Sequence, residues 1–95
     1  MPISWTLKAE ESLAEILKYY ELEVSEEFSE AIEERIYSQI DKLEGFEESI
    51  PRSDIYPNTR KLVISKLPYI AFIRGLSTGS WEVVDIVHTS RKLPK

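Results

Sequence analysis

RKLVISKLPYIAFIRGLSTGSWEVVDIVHTSRK, from Arg60 to Lys92, decides the fold of this 95-residue chain. Leu62-Val63-Ile64 opens a first strand, and Pro68 marks a turn. Tyr69-Ile70-Ala71-Phe72-Ile73 then runs apolar without a polar interruption, as a central strand buried on both faces does. Leu76-Ser77-Thr78-Gly79-Ser80 is a hairpin connection, and Trp81 to His88 follows as the last strand. Period-two alternation puts Trp81, Val83, Asp85 and Val87 on one face of that strand. It puts Glu82, Val84, Ile86 and His88 on the other. Three strands joined this tightly predict an antiparallel meander.

Upstream, residues 47–58 (EESIPRSDIYPN) hold two prolines and no sustained period, so they read as the longest loop. Before it, Phe28, Ile32, Ile36, Ile40 and Leu43 recur at helical steps behind Ser25-Glu26-Glu27, a capping hydroxyl with two carboxylates. Gly45 supplies a C-terminal cap. Ala9, Leu13, Ile16, Leu17 and Tyr20 make a second apolar stripe, capped by Thr6 or a neighbour. Tyr19 belongs to its rim and Tyr20 to its core. Ile3-Ser4-Trp5-Thr6-Leu7 alternates as a half-buried strand, with Ile3, Trp5 and Leu7 toward the core. The expected fold is α+β: an N-terminal strand, an antiparallel helix hairpin, then a three-stranded antiparallel meander, with the helices packed on one sheet face. Residues 1–95 make a single domain, since compact domains of about 100 residues rarely divide.

Hydrophobic residues amount to 42%, enough for a packed core. With no cysteine, a disulfide scaffold, a thiolate zinc site and a cysteine nucleophile are all excluded. No apolar run approaches the roughly 20 residues a membrane span needs, and Met-Pro-Ile-Ser lacks the regions of a signal peptide. The expected location is the cytoplasm, with no membrane partner. The net charge of −5 hides an asymmetry: residues 1–48 carry 4 basic and 14 acidic side chains, residues 49–95 carry 8 and 3. An anionic partner therefore meets the C-terminal half, while overall acidity opposes indiscriminate nucleic-acid binding.

The order of elements, with Arg60-Lys61-Leu62, Tyr69-Ile70-Ala71-Phe72-Ile73 and a last strand closing in His88-Thr89-Ser90-Arg91, resembles the RelE/ParE superfamily of bacterial toxins. Ala9-Glu10-x-x-Leu13-x-x-Ile16-x-x-Tyr19 is similar to the first helix of that family. The resemblance implies the toxin of a type II toxin–antitoxin pair, neutralised by a cognate antitoxin whose disordered segment wraps it. Of the two branches, RelE-like members cut messenger RNA on the ribosome and ParE-like members poison DNA gyrase. The RNA-cleaving branch places a basic residue after the central tyrosine, where this chain has Ile70, and a tyrosine near the C-terminus, where nothing aromatic follows Trp81. These departures favour the ParE-like branch.

Cleavage of RNA without a metal requires a base, an acid and positive charge on the phosphate. His88 suits the proton transfers, and Arg60, Arg91 and Lys92 suit the phosphate. One histidine with partial cationic support weighs toward a structural His88 instead. For gyrase, Arg74, Arg91, Lys92 and Lys95 are the candidate contacts; for target or antitoxin together, Arg60, Arg74, His88, Arg91 and Lys92. A non-toxic, antitoxin-binding member is the third reading. Asp85, among apolar neighbours, is expected in an ion pair with Arg74 or Arg60. Carboxylates alone on helical surfaces make no metal site, and three glycines make no phosphate loop, so no metal and no cofactor are expected.

Overall fold

The structure is a computed structural model and describes residues 3–53 and 55–89. It contains β1 (Ser4–Trp5), α1 (Leu7–Glu23), α2 (Glu26–Asp41), a 3-10 turn (Glu47–Ser49), β2 (Arg60–Val63), β3 (Tyr69–Gly75) and β4 (Trp81–His88). The sheet order is β1-β4-β3-β2, with β2–β3 and β3–β4 antiparallel and β1 parallel to β4. The α+β architecture and the meander are those expected from the alternation and helical stripes.

Both helices start where the hydroxyls predict. Thr6 Oγ1 accepts from the Ala9 amide at 3.1 Å, and Ser25 Oγ accepts from the Phe28 amide at 3.0 Å. Each bond satisfies an amide that the first helical turn leaves without a partner. The predicted strand Ile3–Leu7 is shorter than its alternation suggests. Leu7 opens α1 and is 72% exposed, so it does not share the core face with Ile3 and Trp5. The Thr6 cap forces the chain into a helix there and turns Leu7 outward.

The core lies between the hairpin and one sheet face. Ala9 and Leu13 of α1 and Ile32, Ile36 and Ile40 of α2 pack on Tyr69, Ala71, Ile73, Val83 and Ile86. Gln39 of α2 clamps the β2–β3 turn, donating to the Ser65 carbonyl at 3.0 Å and accepting from its amide at 2.7 Å. The second sheet face is covered in part by the long loop, where Tyr56 meets Phe72 edge-on at 4.8 Å between ring centroids. This cover is why β3 needs no polar interruption.

On β4 the alternation fails at one point. Phe72 faces Asp85 and the next residue, Ile73, faces Val83, which leaves Val84 as the extra residue of a β-bulge. Trp81 and Val83 therefore side with Ile86 and His88 toward the helices, and not with Asp85 and Val87 as strict period two requires. The β3–β4 turn is closed by Leu76 N–H to Ser80 at 2.7 Å, with Gly79 at φ +90° supplying the left-handed step that side chains resist.

Candidate functional site

His88 ends β4 directly opposite Tyr69. Their rings meet edge-on with centroids 5.3 Å apart, and the Tyr69 hydroxyl donates to the Tyr20 hydroxyl at 3.2 Å. Tyr20 also meets Phe28 at 5.5 Å and Tyr19 at 5.2 Å, so the aromatic contacts continue to the tip of the helix hairpin. Between α1 and the end of β4 these side chains enclose a groove of about 550 Å³. Ile16, Tyr20, Tyr69 and Ile86 form its apolar lining, with Ser12, Glu15, Tyr19 and His88 as its polar or amphipathic members. Tyr19 is 58% exposed, and Leu22, Val24 and Phe28 extend the apolar surface at the hairpin tip. The placement of Tyr19 at the rim and Tyr20 toward the core agrees with the helical stripe.

The candidate residues are not gathered into one centre. Arg60 lies opposite Ile73 on β2, whereas His88 lies opposite Tyr69. Four residues separate those positions along β3, roughly 13 Å, and β3 itself stands between them. A single phosphate cannot touch both side chains. Arg60 also fastens the long loop to β2, its Nη1 donating to the carbonyls of Ile50 at 2.8 Å and Glu48 at 3.2 Å. Arg74 is held by the Glu82 carboxylate through Nε at 3.0 Å and through Nη2. Arg91, Lys92 and Lys95 lie outside the described residues.

Asp85 does not pair with Arg74 or Arg60, as its sequence setting suggested. It is 4% exposed. One oxygen accepts from Ser12 Oγ at 2.6 Å and from the Ile86 amide at 2.8 Å; the other accepts from the Tyr56 hydroxyl at 3.2 Å and lies 3.8 Å from Lys8 Nζ. The bulge at Val84 presents this carboxylate where the start of α1 and the long loop both reach it, away from both arginines. Burial, and then the charge and hydrogen bond of Asp85, push the Tyr56 phenol above its ordinary pKa. The aromatic groove was the part that sequence reasoning missed. Its only sequence signal is the Tyr19-Tyr20 pair one helix away from Tyr69.

Among the described residues no group of three His, Asp or Glu side chains is placed to hold a metal ion, and no helix is long and apolar enough to cross a membrane.

The fold is shared with a protein of a ParDE toxin–antitoxin system. The chain matches the solved structure "Chromosomal ParDE TA system from P. aeruginosa" with a TM-score of 0.83 at 22% identity, over 95% of this chain and 97% of that one. No curated protein sequence matches it significantly. The model of the family "ParE toxin of type II toxin-antitoxin system, parDE" matches residues 3–93, and the chain belongs to that family. It is a ParE-like member of the RelE/ParE superfamily.

Proposed function

We propose that this protein acts in the cytoplasm as the toxin of a type II toxin–antitoxin pair, inhibiting DNA gyrase by binding and neutralised by a cognate antitoxin. The match of residues 3–93 to the ParE toxin family carries the reading. The geometry adds support against RNA cleavage. Arg60 and His88 stand at different ends of the sheet, too far apart for one phosphate to meet both. The antitoxin is assigned to the groove beside His88, whose apolar lining and exposed hairpin tip suit an amphipathic segment. With Arg74 partly neutralised by Glu82, Arg91, Lys92 and Lys95 are the candidate gyrase contacts that remain.

The test is pulse labelling of DNA and protein synthesis in bacteria immediately after the chain alone is induced, with a supercoiling assay on purified gyrase beside it. DNA synthesis falls first and supercoiling stops if the reading holds. Translation collapsing first, with gyrase untouched, overturns it and makes Arg60, His88 and Arg91 nuclease candidates on the ribosome and its messenger RNA. Arrest of neither process leaves the third reading, a non-toxic antitoxin-binding protein.

A further inference from the structure

We propose that a second site, at the opposite end of the sheet from His88, binds the phosphate of a nucleotide, with its base against Trp81. The inference goes beyond toxicity and does not depend on which target is poisoned. Its starting observation is a pair of like charges. Arg52 and Arg60 face each other across an isolated antiparallel bridge. The bonds flanking them, Ser53 N–H to Thr59 at 2.8 Å and Lys61 N–H to Pro51 at 2.9 Å, make this the non-hydrogen-bonded type of pair. In that type the Cα atoms stand only about 4.5 Å apart and the side chains are at their closest. Like charges placed so are destabilising unless an opposite charge joins them.

No described carboxylate lines the small cavity beside them, which measures about 280 Å³. Arg60 is positioned for anion capture. Its Nη1 is anchored on two neutral carbonyls, so the guanidinium is immobilised without being neutralised, and its remaining donors are not used by any described carboxylate. Arg52 is exposed and free to close on the same anion. Planar guanidinium groups with several donors match phosphate oxygens better than lysine does. The remaining walls are Asn58, Thr59, Gly75 and the indole of Trp81, which lies over Gly75 at 3.5 Å from where a Cβ would stand. An aromatic wall beside two arginines suits a base joined to a phosphate, because stacking is open to every base. The cavity lies just below the usual size range of small-ligand sites and takes one such unit.

The experiment titrates the intact chain at low salt with inorganic phosphate, adenosine monophosphate and a short thymidine strand, following the indole N–H signals by NMR. Trp81 shifts and Trp5 does not, and adenosine monophosphate binds about tenfold tighter than inorganic phosphate. If the natural source is a nucleic-acid strand, the oligomer binds more tightly still with a steep salt dependence. If it is a free nucleotide, the oligomer gains nothing per unit. Arg52→Glu loses binding at least tenfold, and its melting temperature equals or exceeds that of the parent because the repulsion becomes attraction. Should that variant fold poorly, Arg52→Gln supplies the same binding comparison. A silent Trp81 with all three probes, variants that bind like the parent, or inorganic phosphate binding as well as adenosine monophosphate would each overturn the site.

Discussion

Asp85 joins the first turns of α1, the long loop and β4 through one carboxylate. Hydrogen bonds to an ionised group contribute about 1.5–3 kcal/mol each, and removing the acceptor leaves its donors without a partner. Asp85→Ala is therefore expected to cost about 3 kcal/mol in urea unfolding. Arg74→Ala, which breaks a pair whose arginine is partly solvated, should cost about 0.5 kcal/mol. Equal losses would contradict the network. Tyr56 supplies a pH signature. Its phenol titrates above the ordinary value of 10.0, as does that of Tyr37, raised by burial and then by Glu33 and Glu10. The fold thus holds these protons more tightly than the unfolded chain. Their contribution is complete below the ordinary phenol value and is lost as pH rises through the higher folded values. Stability should fall as pH rises past about 10, and Tyr56→Phe should flatten that fall. An unchanged slope would remove Tyr56 from the account. The sequence marked Asp85 as odd, since a carboxylate among Val83, Val84, Ile86 and Val87 is visible in one dimension. It pointed to an arginine because the true partners, Ser12 and Tyr56, arrive from a helix and a loop whose docking no local pattern encodes.

At the level of elements, the two helix caps differ in what else they hold. Ser25 only caps α2, whereas Thr6 also donates from Oγ1 to the Val84 carbonyl at 3.0 Å. Ser25→Ala should cost about 1 kcal/mol, the common value for a cap. Thr6→Ala should cost about 2 kcal/mol, since it also frees the carbonyl of the bulge residue. Denaturant midpoints of the two variants test the order. Lys66, in the β2–β3 turn, adopts φ +67°, where a side chain is disfavoured. Lys66→Gly is expected to stabilise by about 0.5–1 kcal/mol, and a loss would show that the lysine has compensating contacts. The N-terminal caps and helix stripes were legible because their physics spans three or four residues, whereas α2 ends at Asp41 with Lys42 as its C-cap, short of the expected Gly45. The bulge was not: it is a mismatch between β3 and β4, and neither strand shows it alone.

The whole molecule combines a short N-terminal strand with a sheet that closes on it. Removing residues 1–5 would bare the edge of β4 and the core beside Ile3, so cooperative unfolding should be lost and self-association should appear by size-exclusion chromatography. A monomer that still unfolds cooperatively would show β1 to be dispensable. Fold class and element order could be read from periodicity, and the ParE-like assignment from the resemblance to the RelE/ParE superfamily. The site could be read only as a set of separate residues. His88 was correctly placed at a strand end, yet the groove around it exists only once α1 lies across β4.

The parallel pairing of β1 with β4 also sets a schedule for the chain's synthesis. Thr6 and Val84 are bonded across 78 residues of sequence, so the sheet cannot close until its last strand has left the ribosome. The nascent chain therefore passes through translation without its final strand, and with it without the groove beside His88. The groove exists only after β4 has emerged, and anything that docks in it meets that completed surface rather than a growing fragment.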